Sequence, residues 1–393
     1  MKDKQIEKLI KSEKARQKSV INLIASENIV SEDVLQALGS ELTNKYAEGY
    51  PGKRYYGGQT YTDKIEELAK IRALRLFGLS EDKWHVNVQP LSGSPANFAV
   101  YTALVKPGEK IMGMSLENGG HLTHGHKASA TGKFWVQVQY GVDAKTEMLN
   151  YAEIRKIAEA EKPKIIVAGF TAYPRTVDFK EFRKIADACR AILMVDMSHF
   201  AGLVAGKAYA MSPFDYADIV TTTVHKTLRG PRSALIFAKK DERGFDKLID
   251  KAVFPGLQGG PHMNQIAAVA VALKEASTPL FKKYALQIVK NAATLALELQ
   301  NLGWRIVSNG TDTHLILMDV WMNGKGLSGS EASERLEKAG IIVNKNTIPG
   351  ESRSAFDPSG IRLGTAAETT RGKKEKDMKK IAAKIDKALR AKK

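Results

Sequence analysis

Apolar positions recur along the chain in two rhythms. The charged opening segment, Lys2 to Gln17, spaces them as a helix does, a short extended piece (INLIASEN) follows, and a second helix is expected after Ser31. From Thr62 the rhythms alternate. A helix over Thr62 to Phe77 leads to a strand over His85 to Gln89, then a helix over Pro95 to Val105 and a strand over Lys110 to Met114. Further strands are expected near Phe134 to Val138, Lys164 to Gly169, Ala191 to Asp196, Ile219 to Val224 and Ala234 to Phe237. Helices are expected over Tyr151 to Glu161 and Phe179 to Cys189. Such alternation predicts an α/β domain whose mostly parallel sheet is covered on both faces.

Two stretches depart from this pattern. Thr43 to Thr60, TNKYAEGYPGKRYYGGQT, has neither period and reads as an ordered loop with polar work to do. A long helical stretch, Met263 to Leu302, precedes strands at Arg305 to Ser308, Thr313 to Val320 and Ile341 to Asn344, with a helix over Ser330 to Ala339. That predicts a smaller α+β domain. The expected division is an arm over residues 1–30, a large domain over 31–270 and a small domain over 271–393.

The net charge of +17 raises the question of nucleic acid. Much of the excess lies in RGKKEKDMKKIAAKIDKALRAKK, where Met378, Ile381, Ile385 and Leu389 recur at helical spacing. No aromatic residue interleaves those lysines, so bases have nothing to stack on, and specific nucleic-acid binding is not expected. The opening helix lacks the apolar core of a signal peptide, and no run approaches the roughly 18 apolar residues of a membrane span. Cys189 is the only cysteine, which excludes internal disulfides and predicts a cytoplasmic protein.

Four strand ends carry candidate chemistry, and in open parallel sheets ligands gather there. The Ile219 to Val224 run delivers His225 and Lys226; burial at a strand end disfavours an ammonium and suits an amine that forms a Schiff base with a carbonyl or with pyridoxal phosphate (PLP). The Ala191 run ends at Asp196, a carboxylate that needs a partner such as a protonated pyridine nitrogen. After His85 to Gln89 come Ser92, Gly93, Ser94 and Pro95, a helix start fit for phosphate. After Lys110 to Met114 comes ENGGHLTHGH: a metal on His121, His124 and His126 is disfavoured, since no cysteine and only Glu117 lie near, whereas one imidazole could stack on an aromatic cofactor beside Gly119 and Gly120. FPGLQGGP lacks the ending of a P-loop, and SGIRLG sets Arg362 in a short strand, where a guanidinium suits a carboxylate.

Taken together, TNKYAEGYPGKRYYGG, GGHLTHG, VDMSHFAGLVA, TTTVHKTLRGPR, VFPGLQGGP and NKNTIPG…SGIRLGT closely resemble serine hydroxymethyltransferase, over nearly the whole chain from about Asn22 to Gly372. The resemblance implies the aspartate-aminotransferase fold and transfer of the serine hydroxymethyl group to tetrahydrofolate or a related reduced pterin. By similarity, Lys226 carries PLP covalently, Asp196 pairs with its ring nitrogen, His121 stacks on the ring and His199 lies near its phenolic oxygen. Ser92, Gly93 and Ser94 would hold the phosphate with Gly260 of a second subunit, and Tyr56 would also cross that interface, which implies a homodimer with shared sites (a tetramer is also compatible). Arg362 and Ser26 would bind the amino acid, Glu48 and Tyr46 would handle the serine hydroxyl, and His225 is tied to reaction specificity. Leu116, Gly120, Leu122, Glu48, Asn346, Ser354, Ala355 and Phe356 would form the pterin site.

Thr171 stands where the family usually has Ser, keeping the hydroxyl beside the cofactor. Leu91 and Pro95, Ser233 and Ala234, and Thr365 to Glu368 also depart from the common pattern without removing a catalytic group. The competing enzymatic reading is a PLP-dependent β-hydroxy-amino-acid aldolase that needs no pterin.

Overall fold

The runs IIVAG, ILMVD and IVTTT are too continuously apolar or β-branched for a half-exposed strand, and they become the buried centre of a seven-stranded sheet. In the computed structural model, which describes residues 1–391, the strand order is Trp84–Asn87, Ala234–Lys239, Ile219–Thr223, Ile192–Asp196, Ile165–Gly169, Lys110–Met114, Val136–Tyr140. All run parallel except Ala234–Lys239, antiparallel to both neighbours. Alternate side chains feed two cores. Met112, Ile166, Ala168, Leu193 and Val195 join one, and Ile111, Ile165, Val167 and Met194 the other. The register aligns Gly169, Asp196 and Thr221 across three strands, so their carboxyl ends open at one level.

A second sheet, antiparallel throughout, runs Arg305–Ile306, Leu315–Asp319, Gly360–Gly364, Asn344–Asn346. The lysine-rich helix Glu375–Arg390 closes its core by burying Met378, Ile381, Ile385 and Leu389, the stripe expected from the spacing. The opening arm also belongs here, since Ile21–Asn22 pairs in parallel with Ile341–Ile342 and Leu23 enters this core. Arg362 is held between Leu317 and Asn344 on the flanking strands, within reach of Thr171 beyond the end of strand Ile165–Gly169.

Three expectations need correction. Met263 to Leu302 is two helices, Met263–Ala276 and Pro279–Asn301, broken where Thr278 caps and Pro279 occupies the first turn. The second helix serves both cores: Phe281, Ala285 and Ile288 enter that of the large sheet, whereas Leu295, Ala296 and Leu299 enter that of the second sheet. Phe134 ends a short helix, Ala130–Phe134, and the strand starts at Val136. Thr43 to Thr60 contains a hairpin of Gly49–Tyr50 and Lys53–Arg54. Among the described residues no helix is long and apolar enough to cross a membrane.

Candidate active site

A cavity of about 380 Å³ opens above the carboxyl ends of the large sheet. Its lining includes eleven of the residues singled out from sequence: Ser26, Ser92, Gly93, Ser94, His121, Thr171, Asp196, His199, His225, Lys226 and Arg362.

Lys226 follows the Ile219–Thr223 strand and is buried. Desolvation lowers its ammonium to about 8, although the field of Asp196 works the other way. Asp196, the last residue of its strand, is 7% exposed and, among the described residues, makes no ion pair with a lysine or arginine. Burial opposes its charge, but the donors around it prevail and hold the carboxyl well below the usual carboxylate range. Asn97 Nδ2 donates to Oδ2 at 2.9 Å, and Ser198 N–H donates to Oδ1 at 3.0 Å. His124 Nε2 stands 3.1 Å from Oδ2 while its Nδ1 accepts the His121 N–H, which places the His124 proton on Nε2, toward the carboxylate. A buried carboxylate held ionised by these hydrogen bonds, with the field of Lys226 adding to them, is suited to receive a bound cation.

The same network reaches His121. Asn97 also donates to Thr123 Oγ1, and Thr221 Oγ1 donates to Asn97 Oδ1, which fixes the orientation of the amide. Thr123 in turn offers its N–H and hydroxyl to His121 Nδ1. Desolvation, and then His124, push His121 down to about 4, so the ring is a neutral, flat face on the cavity wall. Gly119 and Gly120 have a different reason from the one expected. A Cβ on Gly120 would lie 1.9 Å from the Met114 carbonyl oxygen, so tight backbone packing requires the glycine.

Ser92 occupies the N-cap of helix Gly93–Leu104, yet its hydroxyl makes no capping bond and lines the cavity instead. The first N–H groups of that helix have no partner within it, and a Cβ on Gly93 would meet Thr223 Cγ2 at 2.7 Å. Thr223 Oγ1 and His225 Nδ1 are buried without a partner among the described residues. These free donors at a helix start fit a phosphate, and the charged Asp196 fits a protonated ring nitrogen. From the second sheet, Arg362 Nε donates to Asn344 Oδ1 at 3.1 Å and Nη1 to the Thr171 carbonyl at 2.6 Å, leaving Nη2 without a partner among the described residues. Thr171 Oγ1 bonds the Gly119 and Gly120 carbonyls. His199 Nδ1 lies 3.2 Å from His314 Nε2, and desolvation holds both imidazoles below their ordinary range.

The model of the serine hydroxymethyltransferase family matches residues 1–385. The chain belongs to this family. It is 54% identical over 387 residues to the serine hydroxymethyltransferase of Desulfotalea psychrophila (strain LSv54), covering 98% of this chain and 88% of that protein. It is also 54% identical over 388 residues to the serine hydroxymethyltransferase of Koribacter versatilis (strain Ellin345), covering 99% and 89%. As a serine hydroxymethyltransferase family member it is a PLP-dependent transferase that interconverts serine and glycine with tetrahydrofolate as cosubstrate.

Four other residues named from the family pattern gather outside the lining of this cavity. Tyr46 OH donates to Glu48 Oε1 at 3.2 Å, Tyr56 meets Tyr46 edge to face, and Gly260 lies under the Tyr46 ring. Arg54, whose side chain is 3% exposed, holds this loop by donating to the carbonyls of Ala47 and Gly49, on either side of Glu48, and to Asp63 and Glu66. The residues named for the pterin also lie outside the cavity lining. Gly120 borders it through Thr171, Asn346 follows Asn344 and Lys345 on the strand beside Arg362, and Phe356 is 86% exposed. Reading the sequence missed Asn97, His124 as the partner of Asp196, Thr223 and Arg232, all of which line the cavity. Asn97 was findable, because it lies four residues beyond Gly93 on the same helix face.

Proposed function

We propose that the cavity is where this chain performs its family's reaction, with Lys226 as the lysine that holds PLP covalently. Asp196 would hold the ring nitrogen, Ser92, Gly93 and Ser94 the phosphate, and His121 would flank the ring. When bound, PLP delocalises the electron pair left at the amino acid's Cα when the bond to the hydroxymethyl carbon breaks. The protein's part is to orient and to manage protons. Asn97, His124 and Ser198 keep Asp196 ionised by hydrogen bonds that need no rearrangement during the reaction. Arg362, braced by Asn344 and by the Thr171 carbonyl, would grip the substrate carboxylate and so set which bond at Cα faces the cofactor. Lys226, with its ammonium lowered to about 8, is partly neutral near that pH and can leave and retake its partner without a large proton cost.

Tyr46, Glu48, Tyr56 and Gly260 would complete the cavity of a second copy, giving a homodimer with shared sites. What supports this is their grouping apart from their own cavity, with Tyr46 and Tyr56 about half exposed. The opening helix Lys4–Ser19 buries none of its residues and leaves Ile6, Leu9 and Ile10 exposed, an apolar stripe suited to the same interface. Because the geometry ties Tyr46 and Glu48 to Tyr56 and Gly260, all four would be donated together. Leu116, Gly120, Leu122, Asn346 and Ser354 to Phe356 would receive the pterin at the mouth.

The observation that carries the assignment is the buried, ionised Asp196 facing the same cavity as Lys226. The test is Lys226→Ala, expected to lose the absorbance of lysine-bound PLP and tetrahydrofolate-dependent glycine formation from serine. Full turnover in that variant sinks the assignment. Wild-type serine cleavage indifferent to tetrahydrofolate would instead favour the aldolase reading.

A further inference from the structure

Two glutamine side chains connect the segment leading into Ser92 with the loop carrying Glu48. Gln258 Oε1 accepts the Leu91 N–H at 3.1 Å, and its Nε2 donates to the Gln89 carbonyl at 3.0 Å. One amide therefore fastens residues 89 and 91, while the intervening Pro90 carbonyl is tied to Ser233 and Ala234 at the central sheet. The residues after Gln258 press on the other cluster. A Cβ on Gly259 would stand 3.2 Å from Glu48 Oε1, and one on Gly260 would stand 3.1 Å from the Tyr46 ring. From the opposite side, Gln89 Nε2 donates to the Gly49 carbonyl at 3.0 Å and to Glu66 Oε1 at 2.8 Å. Gly49 follows Glu48 directly, and Glu66 is the buried acid that receives Arg54. Among the described residues Gln89 Oε1 is buried without a partner, so these two acceptors orient its amide. The backbone that enters the phosphate-facing helix is thus clamped, by one amide on each side, to the loop of Tyr46 and Glu48.

We propose that Gln258, acting with Gln89, is a positioning residue that couples the two sites of the dimer. A phosphate group seated at Ser92–Ser94 of one protomer sets residues 89–91, and the two amides transmit that setting to the Tyr46, Glu48 and Gly260 cluster donated to the other site. This rests on the shared-site reading above. The coupling is positive, since ordering the donated residues on filling one site removes an ordering cost at the other.

The experiment is a PLP titration of the apo-dimer, followed by the absorbance of the lysine-bound cofactor, with sedimentation in parallel to report the oligomer. In the wild type the second PLP is expected to bind about fivefold or more tightly than the first. In Gln258→Ala that factor falls to one while both sites still fill. Gln258→Glu keeps the acceptor for Leu91 and loses the donor to Gln89; it gives an intermediate factor and serves as the test should the alanine variant not fold. Two independent wild-type sites in a stable dimer overturn the coupling alone, as does wild-type cooperativity in either variant. A fully active monomer overturns the shared-site reading and the coupling with it.

Discussion

Replacing Asn97 by Asp probes how Asp196 is kept ionised. Asn97 is buried among three partners, donating to Asp196 Oδ2 and Thr123 Oγ1, each at 2.9 Å, and accepting from Thr221 Oγ1 at 2.8 Å. The substitution keeps the shape and turns the donor facing Asp196 into an oxygen. At an effective dielectric of about 20, two unit charges 2.9 Å apart repel by about 6 kcal/mol. That is roughly four times the energy of a tenfold change in proton affinity, so the two carboxyls share one proton at neutral pH. The shared proton links the two carboxyls, so Asp196 presents a diluted charge to the ring nitrogen and weakens a charge-assisted bond worth about 1.5 to 3 kcal/mol. PLP affinity is expected to fall about 10- to 100-fold, with a pH inflection near neutrality that the wild type lacks. Asn97→Ala, which removes the bond without adding a charge, is expected to weaken binding without the new inflection. The assay is PLP titration of each apo-protein by absorbance between about pH 6 and about pH 9. Wild-type affinity with a flat pH response in Asn97→Asp would refute the reasoning.

Three further outcomes are expected. Lys226→Ala and Glu48→Gln, each inactive alone, should regain about a quarter of wild-type activity after co-refolding, because half the dimers are mixed and each holds one intact site; no recovery would argue against shared sites. Gly120→Ala should cost about 2 to 3 kcal/mol in denaturant unfolding, because its Cβ would meet the Met114 carbonyl oxygen at 1.9 Å, whereas Gly57→Ala, with open space around it, should stay within about 0.5 kcal/mol. Capture of PLP by the apo-protein should accelerate as pH rises through about 8, below the ordinary lysine value of 10.5, since the neutral amine is the reactive form. The folded state binds fewer protons there than the unfolded one, so this group's contribution to apo-protein stability rises with pH from about 8 to about 10.5; a rate still climbing unchanged past pH 10 contradicts the placement of Lys226.

Much of the fold was legible because its signals are local. The continuous apolar runs at Ile165, Ile192 and Ile219 announce buried parallel strands, and the helices Tyr151–Glu161 and Phe179–Cys189 fall on the predicted residues. The break at Pro279 is equally local, but the helical period continues on both sides of it and masks it. Less legible was the arm, whose pairing of Ile21 with Ile341 spans almost the whole chain and has no signature in either segment.

The sequence by itself determined that Lys226 and Asp196 stand at the ends of buried strands, that Ser92 to Ser94 open a helix, and, through its motifs, which family the chain resembles. These depend on neighbours a few residues away, where hydrophobic period and capping chemistry act. The tertiary structure decided how Asp196 is kept charged, because its donors come from Asn97 and His124, 99 and 72 residues away in sequence. It also decided that Tyr46, Glu48, Tyr56 and Gly260 form a group of their own rather than lining the cavity with Lys226. Hydrogen bonds and desolvation depend on distance in space, and only the folded chain brings such residues within about 3 Å of one another.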